Sequence, residues 1–282
     1  MQSGRKSTYP ARKKTIPAKK KASPARKRSY KGKKRPEVKL SWWSISIIAI
    51  LLTWMIKPLV EKARTEHGAP VPASIRGEYG IDISHNNRGT IVWDSLMVMT
   101  DRSGRTVKDI KAAKNMVPVS FVFIKATEGQ SMVDKKFRSN WKEAAEHGIQ
   151  RGAYHFYRTS KDPLRQARSY IRTVGQLRHG DLPPVLDIET THNGLTKSKL
   201  NADLKVWLKE VENHYGRKPI IYTYESFARD YLSKDITGSY PLWIAHYDTE
   251  KPDREDWQYW QFTDRALIYG MEAPVDLSIR RK

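Results

Sequence analysis

From residue 79 to residue 279, short apolar runs alternate with longer amphipathic stretches. Eight runs read as strands: 79–84 (YGIDIS), 119–127 (VSFVFIKAT), 152–158 (GAYHFYR), 183–189 (PPVLDIE), 219–224 (PIIYTY), 241–247 (PLWIAHY), 257–263 (WQYWQFT) and 275–279 (VDLSI). They are rich in β-branched and aromatic residues and bounded by turn formers. Helices are expected at about 134–147, 163–178, 197–214 and 225–232. Asp134 would open the first, and Asp162 followed by Pro163 reads as a cap and first turn for the second. Gly148 and Gly216 are natural stops. Strands alternating with helices across short turns predict an α/β fold with a mostly parallel sheet, closed or nearly closed into a barrel.

A different pattern precedes this body. Residues 40–56 (LSWWSISIIAILLTWMI) contain no charge, and Leu59 and Val60 extend the apolar length past Lys57. At about 1.5 Å per helical residue, this is near the lower limit for a hydrocarbon layer of about 30 Å. Trp42, Trp43 and Trp54 fall where an aromatic belt would lie. A cleaved signal peptide fits less well, because its n-region would be 39 residues long and no small-x-small site follows closely. The expected organisation is therefore a disordered basic arm (1–39), a transmembrane helix (40–60), a linker (61–76) and a folded domain (77–282).

Charge supports that division. Of 282 residues, the formal charge is +22, but residues 1–39 hold 16 Lys and Arg against one acid. Residues 61–282 carry 35 against 29. The basicity belongs to the arm, which cannot bury enough apolar surface to fold and is expected to lie on anionic membrane lipids. Nucleic acid is not an expected partner of the folded domain. The charge bias places the arm in the cytoplasm and the domain across the membrane, in the periplasm or outside. The absence of cysteine excludes disulfides, thiol catalysis and Cys-ligated metals. Neither a P-loop, a GxGxxG run, a GxSxG elbow nor an HExxH pair is present, which leaves no metal ligand set to name.

The candidate chemistry is acidic. In a barrel, reactive groups gather where strands end. Asp187 and Glu189 in PPVLDIE are two apart on a strand and share a face. Neighbouring carboxylates oppose each other's ionisation, so one keeps a proton near neutrality while the other stays charged. Glycosidic hydrolysis requires such an acid for the leaving oxygen and a negative charge for the cation-like transition state. Asp82 in YGIDIS and Asp276 in PVDLSI would add carboxylates from neighbouring strands. Tyr154, Tyr222, Trp243, Tyr247 and Trp260 are candidate sugar platforms, although alternate residues of barrel strands must also supply core. Lys125 and Glu128 flank a strand end, as a salt bridge beneath the pocket or as substrate contacts.

In this order, YGIDIS, FVFIKATEG, RGAYHFYR, LPPVLDIE, PIIYTY, PLWIAHY, WQYWQFTD and PVDLSI resemble the glycoside hydrolase family 25 lysozymes across about 78–280. The resemblance implies an irregular, flattened (β/α) barrel resembling a TIM barrel. The setting departs from the family, because the basic arm and the expected transmembrane helix would hold the domain at the cytoplasmic (inner) membrane. The resemblance implies action on peptidoglycan glycan strands without a cofactor, and a monomer is expected. Its reaction would be retaining cleavage of the β-1,4 bond between N-acetylmuramic acid and N-acetylglucosamine. Glu189 matches the family's proton donor, Asp187 its partner, and Asp82 and Asp276 the other two acids. Tyr154 and the segment 243–247 match groove-lining positions. Attack by an Asp and assistance by the substrate's acetamido group remain alternative schemes. A non-catalytic glycan-binding module, or a glycosidase acting on another N-acetylhexosamine polymer, are the other readings. The stretch 94–118 is unusually long for the connection it makes, forming either a groove wall or a surface hairpin.

Overall fold

The computed structural model describes residues 68–73, 75–247 and 249–281. Eight strands close into a ring: β1 (Gly77–Ile83), β4 (Phe121–Glu128), β6 (Gln150–Phe156), β7 (Val185–Asp187), β8 (Ile220–Tyr224), β9 (Leu242–Ala245), β10 (Trp257–Ala266) and β11 (Val275–Arg281). Neighbours from β1 through β4 to β10 run parallel. The closing strand β11 is antiparallel to both β10 and β1, and the short β5 (Met132–Val133) pairs antiparallel with the end of β4. The barrel is thus irregular and mixed, with helices packed outside it. It is not the uniformly parallel ring that a TIM barrel would give.

The membrane-anchored part of the expected architecture requires correction. Among the described residues no helix is long and apolar enough to cross a membrane. The longest, Lys197–Tyr215, has 19 residues but carries Lys197, Lys199, Asp203, Lys205, Lys209, Glu210 and Glu212, whose charges a bilayer would not accommodate. The segment expected to span, 40–60, lies outside the described residues, as does the basic arm. The single-pass topology and inner-membrane location are therefore withdrawn.

Period-two alternation explains the two layers of core. Phe121 and Phe123, Val185, Ile220 and Tyr222, Trp243 and Tyr259 point into the barrel and form one buried cluster. Val122 and Ile124, Leu186 and Ile188, Ile221, Ile244 and Leu277 point outward into a second cluster. That outer cluster is completed by α1 (Phe137–Glu146), α2 (Pro163–Val174) and α3 (Lys197–Tyr215), which contribute Trp141, Tyr170 and Trp207. The local signals act as expected at α2, where the Asp162 carboxylate accepts from the Arg165 N–H at 2.8 Å and Pro163 occupies the first turn. At α3 the Thr196 hydroxyl accepts from Lys199, and Gly216 ends the helix in the left-handed region. Asp134 does not cap α1. The helix starts three residues later, and the Asp134 carboxylate is engaged elsewhere.

Inside the barrel the aromatic floor is tight. Phe123 stacks on Trp243 at 4.4 Å between centroids and meets Tyr259 edge-on at 5.3 Å. Two glycines make room: a Cβ on Gly80 would sit 2.2 Å from the Phe121 ring, and one on Gly152 would sit 2.6 Å from Phe123. Below the floor, the Arg280 guanidinium lies over Phe121 and pairs with Glu78.

The long connection 94–118 is a hairpin of β2 (Met97–Thr100) and β3 (Asn115–Pro118), with β3 exposed throughout. Residues 68–73 lie against its loop, through Val71 N–H to the Gly104 carbonyl and a bridge between Pro70 and Arg105. None of its residues lines the groove described below.

Replacing Gly80 by alanine is expected to push the Phe121 ring off its neighbours and destabilise the domain by about 1–3 kcal/mol. Phe123→Ala should cost about 3–5 kcal/mol by emptying the floor. Urea unfolding checks both, and unchanged midpoints would contradict the packing described.

Candidate active site

The open end of the barrel is a groove of about 340 Å³, lined in part by Asp82, Lys125, Tyr154, Asp187, Glu189 and Asp276. Pairing register explains the convergence. Asp82 near the end of β1 and Asp276 near the start of β11 are directly opposed, because β11 runs antiparallel and enters at the mouth. Asp187 is the last residue of β7. The extended backbone continues through Ile188, whose N–H donates to the Tyr222 carbonyl at 3.0 Å, so Glu189 follows on the same inward side as Asp187.

Four carboxylates in a half-enclosed cavity cannot all ionise freely. Burial, followed by the charge of Glu189 and a hydrogen bond with it, holds the Asp187 carboxyl well above its ordinary range. Burial and then the Asp276 charge do the same to Asp82. Asp276 itself is pushed up to about 6, first by burial and then by Asp264. Among the described residues that line the groove, Lys125 is the one cation; it is committed to Glu128 at 2.7 Å and lies 4.7 Å from the Phe156 ring centroid. Glu128 also receives Arg158. Lys125 and Glu128 therefore form the salt bridge that the sequence left open, with Lys125 on the groove wall.

Gln261 organises the opposite side. Its Nε2 donates to Asp82 Oδ2 at 2.7 Å, while its Oε1 accepts from the hydroxyls of Tyr222, at 2.8 Å, and Tyr247. These bonds fix the Gln261 amide orientation, with its N–H toward Asp82 and its oxygen toward the two tyrosines. Trp243 is anchored by its indole N–H to Ser278 Oγ at 3.0 Å. The Tyr224 phenol bonds Glu189 and is raised to about 12, chiefly by burial and then by that carboxylate.

The acids Asp82, Asp187, Glu189 and Asp276 all come together here, as do Tyr154, Tyr222, Trp243 and Tyr247. Tyr222 and Trp243 are almost fully buried and act as floor. Trp260 does not join them. It is wholly buried on the outer face, where its indole N–H donates to the His246 carbonyl and its ring packs against Trp257 and Phe262. His155 also faces outward, bonded to Thr127 and Gln166 against Trp207. Sequence reading missed Gln261 and the fifth acid, Asp264. Asp264 sits where the pairing of β10 with β11 breaks register, a break that the sequence does not signal.

Comparison with known proteins places these features. A family model described as glycosyl hydrolases family 25 matches residues 81–271. An uncharacterized protein YegX of Escherichia coli K12 is 36% identical over 211 residues, covering 74% of this chain and 71% of that protein. Lysozyme M1 of Streptomyces globisporus is 30% identical over 224 residues, covering 73% and 68%. Of solved structures, the bacterial lysozyme of Streptomyces coelicolor aligns with a TM-score of 0.62 at 28% identity, over 73% of this chain and 93% of that one. A family 25 glycosyl hydrolase of Bacillus anthracis gives 0.61 at 29%, over 77% and 93%.

The raised Asp276 carboxyl has a consequence for stability. An unfolded aspartate titrates near about 3.9 and the folded one near 6, so between these values the folded state holds the proton more tightly. Stability therefore falls as pH rises from about 4 to about 6 and stays lower above that range. Asp276→Asn is expected to melt about 2–4 °C above the parent at pH 7 for each kcal/mol of relieved repulsion, and to match it at pH 3.5. Calorimetry at the two pH values checks this, and the absence of a gain at pH 7 would contradict it.

Proposed function

The chain belongs to the glycosyl hydrolases of family 25 and is a glycoside hydrolase. On that basis we propose that its groove cleaves the β-1,4 bond between N-acetylmuramic acid and N-acetylglucosamine in peptidoglycan. The observation that carries this reading is the meeting of Asp187 and Glu189 with Asp82 and Asp276 at one mouth. Similarity to Lysozyme M1 of Streptomyces globisporus supports the same substrate class.

In the proposed reaction, Asp187, raised by burial and then by the neighbouring Glu189 charge, retains a proton beside Glu189. Glu189 is the more exposed of the two and passes that proton to the glycosidic oxygen as the bond to the anomeric carbon breaks. Positive charge then develops on the ring. The carboxylates of Asp82 and Asp276 face it, and one of them attacks the anomeric carbon or stabilises the cation while the substrate's acetamido oxygen attacks. Water completes the second displacement, with Glu189 now accepting its proton. Two inversions retain the anomeric configuration in either scheme. Tyr154 and Tyr247 on the walls, with Tyr222 and Trp243 beneath, supply the aromatic surface on which sugar rings rest.

Digestion of purified peptidoglycan by the full-length protein, followed by mass spectrometry of the soluble products, tests the proposal. Expected are muropeptides with reducing N-acetylmuramic acid ends. Glu189→Gln should lower the rate by about 10²–10⁴-fold, the usual contribution of a general acid. Anhydro ends would replace hydrolysis by a lytic transglycosylase step. Binding of peptidoglycan without any product would favour a glycan-binding module.

A further inference from the structure

The turn that follows β1, residues 84–87, is more tightly tied than its position at the groove mouth requires. Within it, the Ser84 N–H donates to Asn87 Oδ1 at 2.7 Å, the Asn86 N–H to Ser84 Oγ at 3.1 Å, and the Asn87 N–H to the Ser84 carbonyl at 3.2 Å. From outside, Asp134 clamps it. The Asp134 carboxylate is buried, and its Oδ2 accepts both the His85 backbone N–H at 2.9 Å and the His85 ring Nδ1 at 2.6 Å. Its Oδ1 accepts the Lys136 N–H at 2.9 Å, and Lys136 Nζ reaches back to the Asn87 carbonyl at 3.0 Å. A buried carboxylate is costly unless its bonds are made, and this one makes them almost wholly to the turn and its brace.

What the clamp holds out is Asn86. Its side chain lines the groove with Ser84 and Asp82, and among the described residues its amide has no hydrogen-bond partner. A carboxamide offers two donors and two acceptor positions in one plane, so it can donate to the carbonyl of a secondary amide or accept from its N–H. Charge argues in the same direction. The groove carries Asp82, Asp187, Glu189, Asp264 and Asp276 around this point, so a neutral group that both donates and accepts is the partner that Asn86 can recognise without competing with those acids.

We propose that Asn86 is a specificity-determining contact for an N-acetyl group of the glycan, and that Asp134, through His85, is the positioning residue that aims it. This rests on the muramidase reading and assigns a residue to the substituent that both of its sugars carry. Asn86 donates a side-chain N–H to the acetamido C=O of a bound sugar beside Asp82. Sugars lacking the acetyl group lose that bond and leave the Asn86 amide unmatched.

The test compares kcat and KM of the full-length protein on one peptidoglycan preparation before and after enzymatic de-N-acetylation. The wild type is expected to prefer the acetylated material. Asn86→Ala should narrow that preference by about 5- to 10-fold, the value of one net hydrogen bond, mainly through a higher KM on acetylated substrate. Asp134→Asn should shift KM in the same direction, and the double variant should be no worse than the more impaired single one, because both remove the same contact. His85→Ala provides the same comparison if Asp134→Asn fails to fold. A preference unchanged in Asn86→Ala would overturn the inference while leaving the muramidase reading intact. Additive losses, with kcat rather than KM affected, would reduce the Asp134 clamp to a structural brace and overturn its positioning role. Failure of the wild type to release product from acetylated peptidoglycan would overturn both readings together.

Discussion

Everything in the site depends on one constraint: several carboxylates share a partly dried cavity in which the available cation is already spent. Lys125 could neutralise one of them, but its ammonium is bonded to Glu128, which Arg158 also engages. The acids must therefore settle their charge among themselves. Burial and mutual repulsion lift Asp82, Asp187 and Asp276 above the ordinary carboxylate range. A proton retained near neutrality is what a general acid needs, and an ionised neighbour is what an incipient cation needs. The same cavity supplies both because its members are inequivalent. Asp187 is the buried member of its pair, Glu189 the accessible one, and Asp82 is held by Gln261.

The barrel exists to enforce that crowding. Phe121, Phe123, Trp243 and Tyr259 fill the interior below the acids and deny them water from beneath. The antiparallel entry of β11 is the decisive topological step, because it brings Asp276 to the mouth at the start of its strand, opposite Asp82. A parallel eighth strand would have delivered its first residues to the closed end. The cost is stored repulsion, which stability must absorb, and this is commonly the case where a site is organised for chemistry.

Much of this was legible in the chain, for physical reasons. Period-two alternation in VSFVFIKAT and PPVLDIE separates inward from outward residues, so the strands and the shared face of Asp187 and Glu189 follow directly. Family order in the motifs adds the four acids as a set. Trp260 shows where alternation fails. A register irregularity between Trp257 and Tyr259 changes the phase of β10, and the tryptophan that reads as a platform becomes outer core. Gln261 carried no signal of its own, since a glutamine between aromatics is legible as an acid's partner only once β1 and β10 flank β11. The expected start of α1 at Asp134 failed because a distant turn claims that carboxylate. Hydropathy alone suggested an anchor at 40–60, and the described domain contains no helix of that kind.

The most direct measurement is a titration of the aspartate side-chain carboxyl carbons by NMR in the full-length protein, with Asp82, Asp187 and Asp276 assigned by substitution to asparagine one at a time. Shared, retained protons predict a midpoint near 6 for Asp276 and midpoints well above the usual aspartate range for Asp82 and Asp187. Replacing any one of them should lower the midpoint of the acid it faces. Three independent titrations near about 3.9, unmoved by each other's removal, would show the acids to be separately solvated and would contradict the central claim.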